Sequence, residues 1–207
     1  LRKNIVRLLI LGLAVGAVAA PASARKAPQK VSLYLHGSQP AGEAELPQTW
    51  ANSHWLQMDK KKPAGAAPKS MNVTNYVGGP NTQCSGNGLL PTWTGRLTGT
   101  VKGTVKVTLH TVATPAAALK VELFPDGNGG CNSTVGSTGY APPAAAKVVT
   151  VAPGPATTVV TFKKVNFRVV GSLVMQLSIA NAPNPAQVRV LYDGAGYESG
   201  VQLSVAR

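Results

Sequence analysis

TVKVTLHT, residues Thr104 to Thr111, decides the fold. Val105, Val107 and Leu109 alternate with Lys106, Thr108 and His110. Successive side chains of a strand point to opposite faces, so this period of two predicts a strand with one apolar and one wet side. The pattern recurs in LKVEL (Leu119 to Leu123) and in SLVMQLSIA (Ser172 to Ala180), where Leu173, Met175, Leu177 and Ile179 point inward. It recurs again in QVRVLY (Gln187 to Tyr192) and GVQLSV (Gly200 to Val205). Further strands are predicted at 31–35, 72–77, 96–101 and 147–151, and 157–170 reads as one long bent strand or two. Turn formers punctuate them: Pro125-Asp126-Gly127, Pro153-Gly154-Pro155, Pro183-Asn184-Pro185 and Asp193-Gly194.

Helical spacing is nearly absent, so the chain is all-β. So many strands with one apolar face each predict two antiparallel sheets packed face to face, because one sheet has no second surface on which to bury them. Three segments follow. Residues 1–24 have the anatomy of a secretory leader: Arg2, Lys3 and Arg7, an apolar run from Leu8 to Ala20, and Ala22-Ser23-Ala24 as cleavage site. Residues 25–70 hold a first strand at 31–36 and then a Pro, Ala and Gly rich excursion, and 71–207 form the sandwich that the first strand joins.

The chain carries 20 Lys and Arg against seven Asp and Glu, a net charge of +13. Such an excess favours an anionic partner, a polysaccharide, cell-wall polymer or membrane surface, or serves solubility alone. Nucleic acid would call for aromatics interleaved with cations, and only Lys163, Lys164 and Arg168 approach that, against the evidence of the leader. No segment after the leader is apolar enough to cross a bilayer as a helix.

Residues suited to acid and base chemistry are few. No G-x-S-x-G elbow is present, which leaves an unusual hydrolase using His36 or His54 with a carboxylate as the enzymatic alternative. No cofactor motif appears, and His36, His54 and His110 are too scattered for a zinc site. Asp126 and Asn128 alternate as calcium ligands would, but Ser137 stands where that loop needs its bidentate Glu. Lys60, Lys61 and Lys62 read as a solvated turn. Among the aromatics, Trp93, Phe162, Phe167 and Tyr192 sit in strands and belong to the core. Trp50, Trp55, Tyr76, Tyr140 and Tyr197 lie in or beside loops, where flat rings can stack on sugars.

With the strands placed, WTGRLTGTVKGTVKVTLHTV (Trp93 to Val112), LKVELFPDGNGG (Leu119 to Gly130) and LYDG (Leu191 to Gly194) resemble the jelly-roll β-sandwich modules of secreted bacterial proteins. These include carbohydrate-binding and galactose-binding-like modules and the sandwich appended to some secreted peptidases. The resemblance implies accessory or adhesive work. The expectation is a secreted, non-enzymatic binding protein, with a structural module of the envelope or the accessory domain of a secreted hydrolase as alternatives. Cys84 and Cys131, in two Gly and Asn rich loops, are expected to form a disulfide in an oxidising compartment. Closing that loop stabilises a fold by roughly 4 kcal/mol in the chain-entropy account.

Overall fold

The computed structural model describes residues 27–37, 55–73, 91–125, 142–180 and 187–206. These residues are all-β, and no helix among them is long and apolar enough to cross a membrane. The strands are β1 (Gln29–His36), β2 (Trp55–Asp59), β3 (Lys69–Val73), β4 (Thr92–Arg96), β5 (Gly99–Thr114) and β6 (Ala117–Phe124). After them come β7 (Ala145–Val151), β8 (Gly154–Val169), β9 (Ser172–Ala180), β10 (Gln187–Tyr192) and β11 (Gly200–Ala206).

They form one hydrogen-bonded network in the order β3-β10-β5-β11-β1-β2-β4-β9-β6-β7, with β8 on the other side of β5. The sixteen-residue β5 makes this possible. One edge pairs with β8 from Gly99 to Ala113, and the other is divided between β11 and β10. The expectation of purely antiparallel pairing fails at one place: β2 runs antiparallel to β1 and parallel to β4. That pairing joins the two antiparallel stretches into a single mixed sheet. The strand making it, WLQMD, lies inside the stretch read as an excursion, where Met58 is buried against the core.

The sheet folds on itself. Trp93 on β4 and Tyr192 on β10, which are not neighbours in the hydrogen-bonded order, meet edge to face with centroids 5.6 Å apart. Around them the inward rows expected from alternation fill the core: Leu33 and Leu35, Val105, Val107 and Leu109, and Leu119 and Val121 are all at most 1% exposed. Long β8 is one strand, and it bends where Lys163 and Lys164 stand opposite Thr104. Lys164 takes φ 56 there, a left-handed conformation that forms the bulge and lets the inward row resume at Val165 and continue through Phe167 and Val169.

One alternation misleads. In β9 the residues between the inward Leu173, Met175 and Leu177 are also buried, so Val174, Gln176 and Ser178 do not face water. Thr92 and Thr94 on β4 and Glu122 on β6 share that second buried face.

Strand β11 approaches β1 closely at Gly200. A Cβ there would fall on the Leu33 carbonyl oxygen of the neighbouring backbone, so the position accepts only glycine.

Candidate functional site

The described residues gather titratable side chains in one place, where β1 and β2 meet the end of β10 and the start of β3. His36 is the last residue of β1, and Asp193 follows β10 in the left-handed region at φ 61. Asp tolerates that conformation better than most residues, and it aims the carboxylate back across the sheet end. Oδ1 accepts from His36 Nδ1 at 2.8 Å, and Oδ2 accepts from Lys69 Nζ at 2.7 Å and more distantly from Gly37 N. On its other side His36 Nε2 lies 2.9 Å from the Lys61 carbonyl oxygen and 3.1 Å from Asp59 Oδ1. Asp59 is itself held by Gln57 Nε2 and Lys61 N, each at 2.7 Å. Both imidazole nitrogens therefore face oxygen acceptors. A ring with a proton on each nitrogen donates to both sides, and a neutral ring to only one.

Burial pushes the Asp193 carboxyl upward, but the hydrogen bonds from Lys69, His36 and Gly37 and the Lys69 charge outweigh it and hold it below the usual carboxylate range. Burial, assisted by the Asp193 charge, pushes the neighbouring Tyr192 phenol up. The depressed acid sets a sign for pH dependence. Its contribution to stability is complete above the unfolded carboxylate value of about 4 and is lost as pH falls through the lower folded value. The denaturation midpoint attributable to this group should hold from pH 7 to 5 and drop below pH 4. The drop should shrink in Asp193→Asn, measured by circular dichroism in urea.

Histidine with a carboxylate on Nδ1 is the base-and-orienter half of a catalytic triad. In such a triad Nε2 faces a nucleophile. Here a backbone carbonyl and Asp59 occupy it, and among the described residues no hydroxyl or thiol hydrogen-bonds to His36. Ser199, the hydroxyl that anchors the turn nearby, is fully buried, donating to Leu191 O at 2.7 Å and accepting from His110 N at 2.9 Å. The arrangement fastens four strands. Nor do the described residues offer a group of three His, Cys, Asp and Glu side chains fit to hold a metal ion.

Of the sugar-stacking candidates, Tyr197 lies in the turn before β11, 36% exposed, with its ring edge-on to His110 at 5.6 Å. Trp55 begins β2, paired with Thr92. Trp50, Tyr76, Tyr140, His54, Asp126, Asn128, Cys84 and Cys131 lie outside the described residues.

The sequence reading missed a second polar group. Thr92, Gln176 and Glu122 form one cross-strand row, in which Gln176 Nε2 donates to Thr92 Oγ1 at 3.3 Å and Lys120 Nζ donates to Glu122 at 2.7 Å. Gln176 Oε1 has no partner among the described residues. Polar residues on a strand read as solvent-facing, and nothing local signals that both faces are covered.

Comparison with known proteins bears on the fold. No protein-family model matches the chain, and no curated protein matches it. Among solved structures, an aminopeptidase from the marine sediment archaeon Thaumarchaeota archaeon is similar over 87% of this chain and 37% of its own, with TM-score 0.55 and 10% identity. At that identity the likeness is one of fold. An α-amino acid ester hydrolase matches over 85% of this chain and 36% of its own, at 12% identity and TM-score 0.49. A CocE/NonD family hydrolase from Staphylococcus aureus matches over 87% and 37%, at 9% identity and TM-score 0.49.

The first of these likenesses corrects the expectation of a non-enzymatic binding protein, since the fold it shares is that of part of an aminopeptidase. The exclusion of enzyme function rested on a scarcity of acids and bases. The chain spans 37% of the length of the aminopeptidase, so its own residues are no inventory of such an enzyme's chemistry.

Proposed function

We propose that this chain is the β-sheet domain of a hydrolase, exported after removal of residues 1–24. We further propose that its sheet closes as a two-layer, jelly-roll-like sandwich stapled by Cys84 and Cys131. One observation carries the hydrolase reading: 87% of the chain superposes on only 37% of the aminopeptidase, the relation of a domain to a larger enzyme. The Trp93 to Tyr192 contact supports the two layers, because it brings strands that are not neighbours face to face.

In this reading the His36 and Asp193 pair positions strands, and the nucleophile belongs to the part of the enzyme beyond the shared fold. The test uses the chain tagged at its own gene and fractionated by size. Hydrolysis of an aminoacyl p-nitroanilide or p-nitrophenyl butyrate should co-elute with the chain in constant ratio. Elution of all such activity apart from the chain would overturn the reading. His36→Asn should lower the melting temperature and leave turnover per folded molecule unchanged. A hundredfold loss of turnover at an unchanged melting temperature would make His36 a catalytic base instead.

A further inference from the structure

The four carboxylates among the described residues are segregated from one face of the sheet. Asp59, Asp193 and Glu198 gather near His36 and are tied to His36, Lys69 and Lys62. The Glu198 carboxylate, hydrogen-bonded to Lys62, raises the pKa of that ammonium, and Glu122 is tied to Lys120. The outer face of β1, β11, β5 and β8 has the opposite character. Strand register sets Thr161, Lys106, Gln202 and Ser32 in one cross-strand row, with Lys30 beside Ser204, Lys102 beside Asn166, and Arg168 beside Thr100. Lys30, Lys102, Lys106 and Arg168 are all exposed, and none is ion-paired with a described carboxylate. A shallow groove of about 350 Å³ crosses this face, lined chiefly by Lys30, Ser32, Thr104, Lys106, Gln202 and Ser204. Paired strands hold the cations at fixed separations: Lys102 and Lys106 are roughly 13 Å apart along β5 at the usual rise per residue.

We propose that this groove binds an acidic polysaccharide, with the ammonium groups of Lys30 and Lys106 on successive carboxylates and the Ser, Thr and Gln side chains on sugar hydroxyls. The occupant follows from complementarity. Cations without competing acids call for a polyanion, and hydroxyl and amide groups between them match a hydroxyl-rich one. No aromatic ring among the described residues lines the groove, so unpaired nucleotide bases have nothing on these strands to stack on. The site differs from the loop aromatics singled out by the sequence and does not depend on the hydrolase reading.

The probe is polygalacturonate, titrated calorimetrically into the whole chain at low salt and again in 0.5 M NaCl, where screening should weaken binding. Lys30→Glu/Lys106→Glu should weaken binding at least tenfold with an unchanged melting temperature, and Lys30→Gln/Lys106→Gln serves if the charge reversal disturbs folding. Lys60→Glu/Lys61→Glu removes the same charge from a chain of net +13 but away from the groove, and should change binding less than twofold. Equal weakening by both pairs would mean that net charge alone binds the polymer and would overturn the proposal. Tighter binding to oligo(dT), or equal binding to neutral dextran, would overturn it too. No substrate is turned over in this measurement, so its failure is distinct from failure of the hydrolase assignment.

Discussion

Trp93→Ala should destabilise the protein by about 4 kcal/mol, the largest effect expected of any single truncation here. Trp93 is the largest fully buried side chain among the described residues, and its ring holds β4 against β10 through Tyr192. Truncation removes the transfer free energy of the indole, leaves a cavity between two parts of the sheet that cannot close over it, and deletes an aromatic pair worth about 1 kcal/mol. One term opposes these. The indole Nε1 is buried without an acceptor among the described residues, so losing it relieves an unmet donor. Trp93→Phe therefore separates ring from donor and should cost no more than about 1.5 kcal/mol. Guanidinium denaturation followed by circular dichroism measures both. Equal losses in the two variants would show that the edge-to-face contact is not what holds β4 against β10.

Asp193→Ala should cost about 3 kcal/mol. The carboxylate receives charge-assisted bonds from Lys69 and His36, each of a kind worth about 1.5–3 kcal/mol when buried, and the half-exposed Lys69 contributes at the bottom of that range or below it. Alanine also has no side-chain oxygen to favour the left-handed backbone at this position. Asp193→Asn keeps the backbone preference and one acceptor, and should lose less than half as much. A double-mutant cycle of His36→Ala with Asp193→Ala should give a coupling near 1–2 kcal/mol, since the two residues share one hydrogen bond. Additive losses would mean that His36 is held by Lys61 and Asp59 instead.

Alternation made the strands legible, because the core of this protein is built of rows that register delivers to one face. Val105, Val107 and Leu109 are buried as that rule requires, and Trp93 and Tyr192 are the core aromatics that their strand positions suggested. Periodicity is silent on partners. His36 and Asp193 lie 157 positions apart in the chain, and only the order β10-β5-β11-β1, together with the turn after β10, brings them within 2.8 Å. His36 could therefore be paired in advance only with an unnamed carboxylate, and Asp193 and Asp59 were not legible as its partners, although LYDG marked the turn. The parallel pairing of β2 with β4 was equally hidden, since WLQMD is too short to announce a strand among prolines and alanines. The basic face was present as separate lysines in separate strands, and became a surface only when Lys106, Gln202 and Ser32 fell into one row.

Among the described residues strands β7 and β8 each pair with a single neighbour, and they lie close together without forming a ladder; Lys147 of β7 reaches across to the Thr161 carbonyl of β8 at 3.2 Å. Val148 and Val159 are exposed on these same strands, at 52% and 46%. Open strand edges beside β-branched side chains are templates for intermolecular stacking. Lys147 guards against it twice, by occupying an acceptor that a foreign strand would use and by placing a charge where that strand would have to lie.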